Sequence, residues 1–209
     1  MPHAAKTTAV FWEVDTQADF MLPGGKLYVP GAEKRIANMK RLVDAARDGK
    51  VFLISSADQH APNDPEFARF PPHCVRGTSG AEILTELKTP KILRIPNDTN
   101  FALPARLDNI QQLVFEKQTL DVFDNAHTEK LLKQIPASVE FVVFGVVTEF
   151  CVHLAAKGLL DRGRRVAIVT DAIETLDAKE SRKTLDELAS RGARLITTSE
   201  ALELLQRLD

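Results

Sequence analysis

The sequence predicts an α/β fold, three layers deep, with a mainly parallel central sheet between two layers of helices. Three observations carry that expectation. Short strand-like runs alternate with helical patterns along the whole chain, as in βαβ units joined by right-handed crossovers. Several runs, among them Val51-Phe52-Leu53-Ile54 and Phe141-Val142-Val143-Phe144, are continuously apolar and rich in β-branched or aromatic residues. Strands buried on both faces have that composition. Finally, no internal repeat, low-complexity segment or linker interrupts the 209 residues. That length suits a single domain, 1–209, with a substantial core.

Thr8 to Val14 is the first expected strand, and it ends in Asp15. Gly31 to Asp48 follows as an amphipathic helix, with Ile36, Met39, Leu42, Val43 and Ala46 on one stripe and Gly49 as its stop. Val51 to Ile54 is a strand leading into Ser55-Ser56-Ala57-Asp58. A long irregular segment rich in Pro and charge then spans Gln59 to Thr78, and loops of that length inside a domain are usually functional. Ala81 to Leu87 is expected as a short helix, and Lys91 to Ile95 and Leu113 to Glu116 as short strands, the second ending at Lys117. Asn125 to Gln134 is the next helix. The strand Val139 to Phe144 enters a turn at Gly145, and a helix runs from Glu149 to about Asp161 with Thr148 as its cap. Arg165 to Thr170 is a strand ending at Asp171, Lys179 to Ser190 a helix, and Ala193 to Thr197 a last strand. Ser199 caps a closing helix through Leu208.

Bulk composition excludes little but bounds the partners. A hydrophobic fraction of 44% and a charged fraction of 27% are ordinary for a soluble globular protein. The formal charge of −2 exerts no pull toward nucleic acid or a membrane surface. Met1 to Lys6 lacks the apolar core of a signal peptide, and Phe141 to Val147 is far too short to cross a bilayer. Cys74 and Cys151 are the two cysteines, expected as free thiols of a cytoplasmic protein.

In parallel sheets the chemistry gathers outside the carboxyl ends of the strands. Asp15, Asp58, Lys117 and Cys151 each fall at or just past such an end. Cys151 also falls in the first turn of a helix, where the dipole and unpaired N–H groups favour thiolate. A carboxylate beside a thiol can accept its proton, and a lysine beside both can hold the carboxylate ionised. A second constellation is Asp58-Gln59-His60, Glu66 and His73. Residues two apart in extended chain point the same way, so Asp58 and His60 can face one ion. Two imidazoles with one or two carboxylates suit zinc, iron or manganese. His3 and His127 are expected at the surface, His153 turned away from the thiol, and Cys74 packed rather than reactive.

With these residues in place the chain resembles the isochorismatase-like cysteine hydrolases, and among them the nicotinamidases (pyrazinamidases). Val14-Asp15-Thr16-Gln17-Ala18-Asp19-Phe20 is similar to the family's opening Asp-x-Gln-x-Asp-Phe motif. Gly24-Gly25-Lys26-Leu27 with Val29-Pro30-Gly31-Ala32 matches the segment after it. Pro71 to Ala81 is close to a nicotinamidase signature, and Gly145 to Val152 is similar to the nucleophile turn. The resemblance implies the isochorismatase-like hydrolase fold, with Asp15 as base, Lys117 as electrostatic partner and Cys151 as nucleophile. It implies a cis peptide between Val146 and Val147, and an oxyanion hole from the N–H groups of Val147 and Cys151. Metal ligands map onto Asp58, His60 and His73, with Glu66 at a position where relatives vary; zinc is the first expectation, iron or manganese the others. Phe20, Phe70 and Val146 map to the substrate pocket.

Two departures stand out. Gln59 and Phe70 replace tryptophans common in the family, and Gln118 to Asp124 replaces a Ser/Tyr/Phe stretch that lines the pocket. The expected activity is hydrolysis of a small amide, nicotinamide first, through a thioester. The alternatives are a ureido or carbamoyl amidohydrolase and, of a different class, a non-catalytic binding protein. A small amide and further copies of the chain are the expected partners, with neither nucleic acid nor membrane among them.

Overall fold

Seven strands, all parallel, form one sheet in a computed structural model that describes residues 8–104 and 106–206. They are β1 (Ala9–Val14), β2 (Phe52–Asp58), β3 (Ile92–Ile95), β4 (Gln112–Lys117), β5 (Glu140–Val146), β6 (Arg165–Glu174) and β7 (Arg194–Ile196). Their order across the sheet is β3-β4-β2-β1-β5-β6-β7. The chain builds one half outward from β1 through β2, then returns to β5 on the other side of β1. Strand order reverses there, and crevices at such switch points bind ligands.

Side chains alternate across the sheet and sort the core into two layers. Phe11, Leu53, Val114, Val142 and Phe144 pack beneath α2 (Ile36–Arg47) and α6 (Thr198–Gln206), against Met39, Leu42, Val43 and Ala201. Trp12, Ile54, Phe115, Phe141 and Ile168 face the opposite layer. That layer is made by α3 (Thr128–Leu132), α4 (His153–Asp161) and α5 (Ala178–Ser190), with Leu131, Ala156, Leu159 and Leu188. Each such aliphatic or aromatic side chain contributes about 1.5–3 kcal/mol on full burial. One further helix, α1 (Ala18–Met21), is a single turn following β1. Among the described residues no helix is long and apolar enough to cross a membrane.

The helix stop at Gly49 is as expected. Its φ of 74° is left-handed, its N–H donates to Ala46 O, and the Lys50 N–H to Ala45 O, a Schellman closure. Elsewhere local hydrogen bonds overrule the pattern. The span 81–87 is not one helix but two 3-10 turns, Ser79–Ala81 and Thr85–Leu87. Its middle is drawn out by pairing with the chain after β1: Ala18 N–H donates to Glu82 O and Leu84 N–H to Thr16 O. The helix expected from Asn125 starts at Thr128, because the Asn125 amide instead donates to Ile95 O and Glu116 O. β6 runs four residues past Thr170, to Glu174, through a register shift opposite Val143 and Gly145.

Three expected caps and surfaces also differ. Thr148 does not cap α4; its hydroxyl donates to Glu174 O at 2.8 Å. Thr197, not Ser199, closes the start of α6: its Oγ1 accepts from Glu200 N and Glu200 Oε2 accepts from Thr197 N. That is a reciprocal capping box. His127 is buried, with Nε2 2.7 Å from Asp98 O and its ring against Phe101. His3 and Leu208 lie outside the described residues.

Candidate active site and metal centre

Asp15 leaves β1 with φ 49°, the left-handed region. Its Oδ1 accepts from Ser56 Oγ at 2.7 Å, and its Oδ2 lies 2.9 Å from Lys117 Nζ. Lys117 is the last residue of β4, opposite Asp58 at the end of β2, and donates to Asp58 Oδ1. Its third direction points to Cys151 Sγ, at 3.6 Å. One buried ammonium thus meets two carboxylates and a thiol, which are the four groups expected at the strand ends.

Cys151 sits in a π-turn, Thr148–Val152, that leads into α4. π-Turns inside helices recur at functional sites. The turn begins at Gly145, whose φ is 124°, and a Cβ there would lie 2.1 Å from Val14 O. Only glycine lets β5 pass that close to β1. The Val146–Val147 peptide is cis, as the resemblance implies. Glu149 fastens the turn to the chain before α5, accepting from Thr175 Oγ1, Leu176 N and Asp177 N.

Electrostatics separate the two carboxylates. Burial opposes ionisation of Asp58, but the Lys117 charge, helped by His60 and His73, holds it well below the usual carboxylate range. Asp15 is pushed up by burial, with Lys117 acting in the opposite sense. Lys117 itself is raised despite its burial, because Asp15 and Asp58 flank it. The Cys151 thiol is also pushed up by burial, against the pull of Lys117. Enclosure thus opposes the thiolate expected from its helical position alone. Cys74 is fully buried, at φ 44°, and burial raises its thiol as well.

Beside this group Asp58, His60 and His73 bring three candidate ligand atoms within 4.8 Å of one another. A parallel bridge, His60 to Val75, closes the long irregular segment on itself, with His60 N–H donating to Cys74 O. Asp58 Oδ2 lies 3.7 Å from His60 Nε2 and 3.6 Å from His73 Nε2. Ligands at about 2.1 Å around a tetrahedral zinc stand about 3.4 Å apart, so the set fits such an ion. His73 Nδ1 is 2.8 Å from Pro71 O, which fixes that ring with Nε2 turned inward, the arrangement common to metal-bound histidines. Both ring nitrogens of His60 are buried and lack an aligned hydrogen bond, although Asp64 Oδ2 stands 3.1 Å from Nδ1. Glu66 falls outside the three-residue group; it is half-buried, and burial and Asp58 raise its carboxyl.

Phe20 and Phe70 both face the His73 ring, at 5.3 and 6.4 Å between centroids. Phe67, which sequence reasoning passed over, packs on His60 and His73. So were Gln17 and Asp64. The Gln17 amide clasps Asp58 at both backbone atoms, accepting from its N–H and donating to its carbonyl at 2.7 Å each. Its place inside the Asp-x-Gln motif was the available signal. A cavity of ≈ 620 Å³ opens between Glu66, Arg69, Gln118, Leu120 and Leu154; part of the 118–124 segment lines it, whereas Cys151, Phe20 and Phe70 do not. His153 stands beside Glu187 of α5, 3.1 Å away.

A protein-family model described as Isochorismatase domain matches residues 9–95 and 92–200. A nicotinamidase of Escherichia coli is 25% identical over 212 residues, covering 90% of this chain and 93% of that protein. Among solved structures, a pyrazinamidase of Pyrococcus horikoshii in complex with zinc matches with TM-score 0.72 and 24% identity, over 91% of this chain and 99% of its own. An N-carbamoylsarcosine amidase from Thermoplasma acidophilum matches with TM-score 0.70 and 20% identity, over 92% and 97%.

Proposed function

We propose, for a chain that belongs to the isochorismatase family, that it is a cytoplasmic cysteine amidohydrolase whose first substrate is nicotinamide, released as nicotinate and ammonia. The observation that carries the reading is Lys117, buried between Asp15, Asp58 and Cys151. A binding protein has no use for that arrangement. A hydrolase needs a group that moves a proton beside one that stays charged, and the environments of Asp15 and Asp58 push their pKa values apart in that sense.

Asp15 takes the proton of Cys151 as sulfur adds to the amide carbonyl, with Lys117 next to the developing thiolate. The N–H groups of Val147 and Cys151 receive the oxyanion; such donors are worth about 2.7–4 kcal/mol each in well-studied hydrolases. Asp15 then returns the proton to departing ammonia and, from the other side of the cycle, deprotonates the water that cleaves the thioester. Asp58, His60 and His73 would hold a divalent ion, zinc before iron or manganese, which when bound supplies a Lewis-acid contact for the substrate ring or a water. Phe20, Phe70 and Val146 bound the ring's site. A second reading, a carbamoyl or ureido acid as substrate, is supported by Arg69 on the cavity wall.

Ammonia release from nicotinamide, pyrazinamide and carbamoyl acids separates the two. Turnover of the pyridine and pyrazine amides, lost in Cys151→Ala, is the expected outcome. Release from a carbamoyl acid alone moves the assignment to the second reading, and full activity in Cys151→Ala removes the mechanism.

A further inference from the structure

We propose that Glu13 is a positioning residue: through Thr16 it keeps Asp15 turned across the sheet toward Cys151. The inference rests on Asp15 being the thiol's proton acceptor. Phe11 and Glu13 point into the layer beneath α2, Glu13 meeting Ser55 and Gln112 there, while Val10, Trp12 and Val14 point into the layer that contains Cys151. Regular alternation sends Asp15 to the side of Glu13. Its carboxylate instead meets Ser56 and Lys117 on the thiol's side, and the φ of 49° at Asp15 makes the change. A non-glycine residue persists in that region only where its surroundings hold it.

What holds it lies on both sides of the residue. Asp15 N–H donates to Ser56 O at 3.2 Å. Thr16, fully buried, turns back to the other layer and donates its hydroxyl to Glu13 Oε1 at 2.6 Å. Glu13 is anchored in turn by Ser55 Oγ at 2.6 Å and Gln112 Nε2 at 3.0 Å. A carboxyl group wholly inside a core is costly unless such bonds surround it. An apolar residue would fill the same space without that cost but could not grip Thr16.

Alkylation of Cys151 by iodoacetamide in the whole protein, followed by mass spectrometry near neutral pH, tests this. It needs no substrate, so it stands even if nicotinamide is not turned over. Thr16→Val removes the hydroxyl and keeps the shape, Thr16→Ser keeps the hydroxyl, and Glu13→Ala removes the acceptor. Thr16→Val and Glu13→Ala should each slow alkylation about tenfold, a part of the roughly 10²–10⁴-fold that a positioned base contributes. Thr16→Ser should stay within about twofold of the parent, and the double variant should be no slower than the slower single one. If Glu13→Ala does not fold, the two Thr16 variants decide. Parent-like alkylation in a folded Thr16→Val protein, equal slowing in the serine variant, or losses that multiply in the double variant would overturn the proposal.

Discussion

Glu13 and Asp58 show how one functional group, the carboxyl, takes opposite roles in one sheet. Asp58 faces an ammonium and stays ionised. Glu13 faces hydroxyls and an amide, and burial raises it from 4.5 to about 7, against the lowering influence of Ser55, Thr16, Gln112 and Arg47. Below pH 4.5 folded and unfolded chains both carry the Glu13 proton. Between that value and about 7 the unfolded chain has released it and the native one has not. Stability from this group is therefore greatest in acid, falls as pH rises through that window, and is level above it. Glutamine at the same position does not titrate, and the serine and threonine hydroxyls can rotate to accept from its amide. Urea unfolding of the parent and Glu13→Gln in parallel should show the variant gaining relative stability across the window, on the order of 3 kcal/mol at most. A difference that does not change with pH would show that Glu13 is ionised throughout.

Among the elements, the nucleophile turn depends most on a single backbone position. Gly145 combines a left-handed φ with a 2.1 Å approach of its missing Cβ to Val14 O, and neither backbone can retreat without opening the β1–β5 ladder. Gly145→Ala should cost roughly 2–4 kcal/mol, a fall of about 10 °C in Tm by calorimetry for a chain of this size. An unchanged Tm would mean that the two strands can part. This turn was legible from sequence, because a glycine closing an apolar run is a local signal. The strands and the two long helices α2 and α5 were legible for the same reason. The span 81–87 was not: its apolar spacing is helical, and only its pairing with Gln17 and Thr16, more than sixty residues earlier, draws it out. Likewise Asp15, Asp58, Lys117 and Cys151 could be named from strand ends alone, and Gln17 stood inside a motif, whereas Asp64 and Phe67 act through contacts that no local pattern announces. The buried thiol is a further case, since a helix position says nothing of how deeply the finished fold encloses it.

At the scale of the whole molecule, the sheet order turns dispersed sequence into one chamber. β1 lies between β2 and β5, so Asp15, Asp58 and Cys151 arrive together from three adjacent strands, and Lys117 comes from the next. The irregular chain from Gln59 to Thr78 then hangs beside this centre by a short bridge and by His60 and His73. An ion gripped by Asp58, His60 and His73 would tie that segment to the end of β2 and bind only the folded chain, so its affinity would add to stability. Adding zinc to chelator-treated protein should raise Tm progressively, by about 5–10 °C at a hundredfold excess over Kd. Parallel titrations with iron and manganese identify the preferred ion by the concentration needed for half the shift. His73→Ala should remove the shift while leaving the unliganded Tm within a few degrees, because His73 closes no strand and caps no helix. A Tm indifferent to all three metals, or an equal shift in His73→Ala, would mean that the three side chains hold no ion and that Asp58 serves Lys117 alone.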